Sequence, residues 1–444
     1  MKDYGFEHYL KAGHGRAYLM ARKDPEKYRD AILKACTADY SFDLQCEGSR
    51  AYLTADLVDL FSDKTPFIKA AEERFLSSEV DTNAHDIQHL SDFLAEMGMQ
   101  DLIDSKYKYL WQELYRAEAE EADAPEEPDD SVVITRPDSA LILESIEYLA
   151  MRLLQGGSDV EDVISEMSAW CKKEEITGKE EFPWFFSELE EEIGKEQLIK
   201  MAGSSDSIRT FIEGAFDNED DRPKAPAPSS KKAPTAKEIV EQLKADKELF
   251  GIKLIRLGIR KMSEEEKFLL AKEAIDTTSL QLRTQIVSAF YSSWFTWPAE
   301  ASHLVEWTKL GDEALSCVCR GAMSEIKAKE IREYALESLK NGFDKDCACM
   351  LIQNFEQGDE EVLLPMLYDL EIDDEDQNGW HAIGHVILDN DLPDSMLYWV
   401  YKSTLCSFCR EAAVEKLLKR EGIPEGFRVE CSWDARLDIR KMVE

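Results

Sequence analysis

Apolar residues return along most of this chain with the three-to-four-residue spacing of a helix face. After Ser139 the positions Leu141, Ile142, Ile146, Leu149, Leu153 and Leu154 fall on one side, and Gly156-Gly157 stops the run. Ser158 opens another, with Val160, Val163, Ile164, Met167 and Trp170. In the C-terminal part the same periodicity predicts helices over 237–250, 264–275, 279–292, 311–324, 328–341, 346–356, 360–368, 379–389 and 407–420. Asn341-Gly342, Gly358 and Gly422 stand where helix ends call for a left-handed residue. Helix should therefore exceed about 55% of the chain, against a usual third, with strand confined to patches near Val132 and Phe427.

A short phrase punctuates these helices: a small or apolar residue, then Arg, then apolar residues at helical spacing. It reads Ser49-Arg50-Ala51-Tyr52-Leu53, Leu282-Arg283-Thr284-Gln285-Ile286, Cys319-Arg320-Gly321-Ala322-Met323, Ile331-Arg332-Glu333-Tyr334-Ala335 and Cys409-Arg410-Glu411-Ala412-Ala413. A phrase set in helix after helix marks a helical-repeat solenoid, because no single helix pair buries its own apolar face. Each phrase should begin a helix. Their spacing is irregular, so the repeats should be imperfect.

Two composition breaks divide the chain. One runs over 117–137, through Glu120-Glu121 and Pro125-Glu126-Glu127-Pro128-Asp129-Asp130. The other runs over 217–235, from Asp217-Asn218-Glu219-Asp220-Asp221 into a Pro, Ala, Ser and Lys stretch that has no periodic apolar residue to bury. The organisation this predicts is an N-terminal helical domain at 1–116, an acidic linker at 117–137, an acidic helical domain at 138–216, a Pro/Ala/Lys linker at 217–235 and a repeat domain at 236–444.

The Arg phrases, with Ala or another small residue two to four positions on, resemble the second helix of HEAT or armadillo-type repeats. The fold class this implies is all-α: a degenerate HEAT-like solenoid in at least the C-terminal half, with N-terminal helical domains. The resemblance also implies stacked antiparallel helix pairs and a protein-binding surface. In such repeats Arg commonly meets an acidic residue of the adjoining repeat. Asp43 and Asp276 precede Arg50 and Arg283 by seven residues, but Arg320, Arg332 and Arg410 have no such partner, so no regular ladder is expected.

Charge changes this picture more than composition does. Lys plus Arg is 53 and Asp plus Glu is 91, a net of −38. Residues 117–221 alone hold 30 acidic and 8 basic residues, more than half the excess in under a quarter of the chain. A surface this negative disfavours direct nucleic-acid binding and favours a basic protein partner. No apolar run reaches the roughly 20 residues needed to cross a bilayer, and Met1-Lys2-Asp3-Tyr4-Gly5-Phe6 lacks the basic start of a signal peptide. Ten cysteines at this length fit thiols packed in a reducing, cytoplasmic setting.

Candidate chemistry is sparse. Asp374, Asp376 and Asn378 before Gly379 match the front of a calcium loop, but His385 stands where its last carboxylate should be. His381, His385 and Asp389 lie four apart on the following helix, a spacing that could ligate zinc or iron. His85, His89, Asp92 and Glu96 cluster on what reads as a solvated helix face. Cys406-x-x-Cys409, Cys317-x-Cys319 and Cys347-x-Cys349 fall in helical runs and read as packing. Trp184, after Pro183, precedes Glu188, Glu190, Glu191 and Glu192, which pairs an apolar anchor with charge for a protein partner. No phosphate loop or nucleophile elbow is present, and no cofactor is expected. These features favour a non-enzymatic scaffold or adaptor, as in a multi-subunit bacterial-type system. The alternatives are an acidic inhibitor or immunity-type protein that masks a basic protein such as a nuclease, and a metal-dependent or nucleic-acid-modifying enzyme on the same fold.

Overall fold

The computed structural model describes residues 4–42, 47–77, 84–122, 139–213, 235–245, 259–290, 296–370, 377–420 and 424–444. Among the described residues helix takes 73%, in 26 α-helices, and there is no strand. The patch near Val132 lies outside the described residues, and Phe427 sits in helix Glu425–Cys431 rather than in a strand. Both proposed linkers lie largely outside the described residues, although helix Gln100–Ala122 carries on past residue 117.

Short side chains start the helices where the pattern placed them. Asp159, Ser263, Ser279, Asp312 and Asp344 each accept a backbone amide of the first turn. In the C-terminal part, four short helices appear among the described residues beyond the periodic segments: Ala301–Trp307, Asp394–Ser403, Glu425–Cys431 and Leu437–Val443. Arg50 is the N-cap residue of helix Ala51–Val58, and Arg283, Arg332 and Arg410 lie in first turns. Arg320 departs from the expectation, lying near the end of helix Glu313–Met323.

The chain divides into two compact units, and the division does not follow sequence order. The larger takes Tyr4–Pro223 with Leu405–Glu411 and Glu421–Glu444; the smaller takes Lys224–Thr404 with Ala412–Arg420. Residues read as the end of a repeat domain thus fold with the N-terminal part.

Within the smaller unit, from Glu264–Asp276 to Asp394–Ser403, the main packing is between alternate successive pairs, such as Lys329–Leu339 on Lys345–Gln353, and between helices two apart, such as Leu280–Ser288 on Glu313–Met323. Arginines follow that step. Arg332 binds Asp359 through two nitrogens, at 2.7 and 3.2 Å, and Arg320 lies 3.7 Å from Asp346. These acidic partners stand two helices downstream, the opposite direction from the upstream offset sought in the sequence. Arg283 instead donates to the carbonyls of Ala274 and Thr277 and lies over the Trp307 ring.

In the larger unit the end of the chain returns to its start. Ala435 N–H donates to Gly13 O at 2.8 Å, Arg16 pairs with Glu430 at 2.6 Å, and Tyr18 stacks on Trp433 at 3.7 Å. The approach is so close that a Cβ on Gly15 would lie 1.9 Å from Glu430 O. Beneath it are two fully buried ion pairs, Arg50 with Glu47 at 2.7 Å and Arg410 with Asp434 at 3.0 Å. Both arginines donate to one carbonyl, Leu405 O, while Glu47 also accepts the amides of Phe42 and Ser407. Burial acts to raise the Glu47 pKa, but Arg50, Arg410 and those amides outweigh it and hold the carboxyl below its usual range.

Candidate functional site

Helix Gln100–Ala122 carries Tyr107, Trp111 and Tyr115 at steps of four, so one face of it is an aromatic ladder. Tyr107 and Trp111 are almost wholly buried, and Tyr115 is exposed. Trp111 meets Tyr107 edge-on at 6.3 Å, lies near-parallel to Tyr115 at 5.9 Å, and approaches Trp170 of helix Val160–Glu174 at 6.3 Å. The two helices are joined by hydrogen bonds: Tyr107 OH donates to Val163 O at 2.5 Å, and Tyr115 OH to Glu166 at 3.2 Å. Burial pushes the Tyr107 phenol up, keeping it a neutral donor.

Along this seam runs a groove of about 770 Å³. Asp104, Asp159, Asp162 and Glu166 line it, against one ammonium, Lys108, which is paired to Asp104 at 2.6 Å. Asp159 and Asp162 are placed by the need of a helix N-terminus for negative charge: Asp159 caps helix Val160–Glu174, and Asp162 sits in its first turn. The result is a groove in which the exposed Tyr115 ring, backed by buried Trp111 and Tyr107, stands among carboxylates, which suits a cationic group carried on an apolar stem, such as a Lys or Arg side chain. Lys173, from the chain itself, already lies 4.8 Å from the Trp170 ring.

The other side chains singled out in the sequence fall elsewhere. Trp184 is 46% exposed on helix Pro183–Ile193, whose opposite side buries Phe185, Phe186 and Leu189. Glu188, Glu191 and Glu192 share its exposed face at helical spacing, Glu188 accepting from Gln155 at 2.7 Å; Glu190 turns aside from that cluster. Glu147 reaches the start of this helix and accepts the amides of Trp184 and Phe185 at 2.7 and 2.9 Å. Burial pushes the Glu147 carboxyl up to about 7, against those amides and with Glu144 and Glu181 adding to the rise.

Asp374 and Asp376 lie outside the described residues, as does the side chain of Asn378. His381 and His385 come together, Nε2 to Nε2 at 3.1 Å, while Asp389 is exposed. The face carrying His89 and Asp92 is not solvated as expected. His89 is buried and donates to Ala35 O at 2.8 Å, and Asp92 accepts from Ser49 at 2.7 Å beside Arg152. Helix Ser139–Gln155 packs over this face and brings Arg152 to it. Cys319, Cys347 and Cys349 are buried, Cys317 is exposed, and Cys46 lies outside the described residues.

The aromatic ladder was missed in the sequence, although Tyr107, Trp111 and Tyr115 at steps of four within an acidic helix are its signal. Among the described residues no helix is long and apolar enough to cross a membrane. No protein-family model matches the chain, and no significant similarity to a curated protein or to a solved structure is found.

Proposed function

We propose that this chain is a non-enzymatic helical-repeat scaffold that binds a protein partner by taking a basic segment of it into the groove between helices Gln100–Ala122 and Val160–Glu174. The observation that carries the reading is the four carboxylates that line this groove beside the exposed Tyr115 ring. Steering by the chain's net charge of −38 would concentrate a basic partner at long range, and the aromatic ladder would supply the short-range contact that charge alone does not. The pairing of Arg320 and Arg332 with acids two helices on supports reading the smaller unit as a degenerate HEAT-like stack, with these pairs tying its layers. A reducing cytoplasmic setting accords with the buried thiols.

The test is binding of an Arg/Lys-rich peptide to the full chain, with an acidic peptide of equal length as control. Tyr115→Ala combined with Glu166→Gln should weaken binding by at least roughly tenfold. Equal binding by the variant, or equal binding of the acidic control, removes the groove from the reading. A second surface is favoured by exposed Trp184 beside Glu188, Glu191 and Glu192. Replacing Glu188, Glu190, Glu191 and Glu192 with Gln distinguishes it, since only partner capture by that helix would then slow.

A further inference from the structure

Cys406 is the residue immediately before helix Ser407–Leu418, and Cys409 is in its first turn. The amide of Arg410 closes that turn on Cys406 O at 3.2 Å. The two sulfur atoms lie within 4.8 Å of each other, with Cys406 retaining 5% of its surface and Cys409 2%. We propose that Cys406 and Cys409 form a peroxide-reactive dithiol site, with Cys406 as the attacking sulfur and Cys409 as the resolving one. Closing a disulfide takes the sulfurs to about 2.05 Å, a movement within reach of side-chain rotation on one helical turn.

The helix start makes the two thiols unequal. Cys409 donates its thiol hydrogen to Cys406, and the amides of Cys409 and Phe408 donate there too, so Cys406 lies below the usual thiol range while Cys409 is pushed up. Burial drives the other packed thiols the other way, with Cys171, Cys319, Cys347 and Cys349 pushed up to about 12. A small oxidant suits a site this enclosed. The Cys406 thiolate attacks one oxygen of hydrogen peroxide, breaking the O–O bond and giving a sulfenic acid and hydroxide. The Cys409 sulfur then attacks the Cys406 sulfur; its proton leaves with the displaced hydroxyl as water, and the disulfide forms. Peroxide is reduced by two electrons as the two thiols are oxidised, and an external thiol restores the pair.

Hydrogen peroxide added to the folded full chain, followed by alkylation and peptide mapping, tests this. The peptide holding residues 406–409 should lose two hydrogens at least roughly tenfold faster than exposed Cys317 oxidises, because the thiolate is the reacting form. Cys409→Ser should instead accumulate a dimedone adduct at Cys406, and Cys406→Ser should give neither product. Circular dichroism of both variants establishes that they fold; if one does not, dimedone competition in the unaltered chain takes its place, and should trap Cys406 alone. A peptide that stays reduced while Cys317 oxidises, or an adduct on Cys409 in Cys406→Ser, would overturn the assignment.

Discussion

Asp434 and Arg410 have no exposed side-chain surface, and Glu47 has none either. Removing one member of such a pair leaves its partner charged in a medium that cannot solvate it, so Asp434→Asn should cost about 3–5 kcal/mol in denaturant unfolding. Glu415→Gln, in an exposed pair with Lys419 that water screens, should leave the denaturation midpoint almost unchanged. Glu147 gives a pH signature. Its folded pKa of about 7 exceeds the reference value of 4.5, so the folded state holds the extra proton between these values. Its stability contribution is intact below 4.5 and declines as pH rises toward 7, by about 3 kcal/mol. Glu147→Gln keeps an acceptor for the amides of Trp184 and Phe185 and should flatten this part of the stability profile; an unchanged slope would place the titration elsewhere. Arg50 and Arg410 stood out in the sequence, but their meeting at one carbonyl did not, because it joins residues some 360 positions apart along the chain.

At the scale of elements, the apolar period located the long helices because each buries one face and leaves the other polar. Helix Asp394–Ser403 escaped for a physical reason: Met396, Leu397, Trp399, Val400 and Tyr401 are all buried, so no single stripe distinguishes it. The acidic partners of Arg320 and Arg332 were missed because they stand 26 and 27 residues downstream, two helices on, and not at a short offset upstream. The account predicts that Arg332 and Asp359 are coupled. A double-mutant cycle to Ala should give an interaction of about 1–3 kcal/mol, whereas Arg320 with Asp346, a longer and more exposed contact, should give less than about 1 kcal/mol. Equal couplings would remove the distinction between the two contacts.

For the whole molecule, the concentration of acid in residues 117–221 was legible by counting, and it pointed to the larger unit, where the groove lies. Its geometry was not. Tyr107, Trp111 and Tyr115 come from one helix and Asp162 and Glu166 from another, and no local pattern pairs the two. The measurement that bears most directly on the proposed role is the association kinetics of an Arg/Lys-rich peptide with the full chain and with Asp162→Asn/Glu166→Gln, at low and at physiological salt. The account predicts fast association at low salt that slows steeply as exposed charges are screened beyond about 8–10 Å, and an on-rate in the variant reduced by roughly tenfold. Association that ignores both salt and the two substitutions would contradict it.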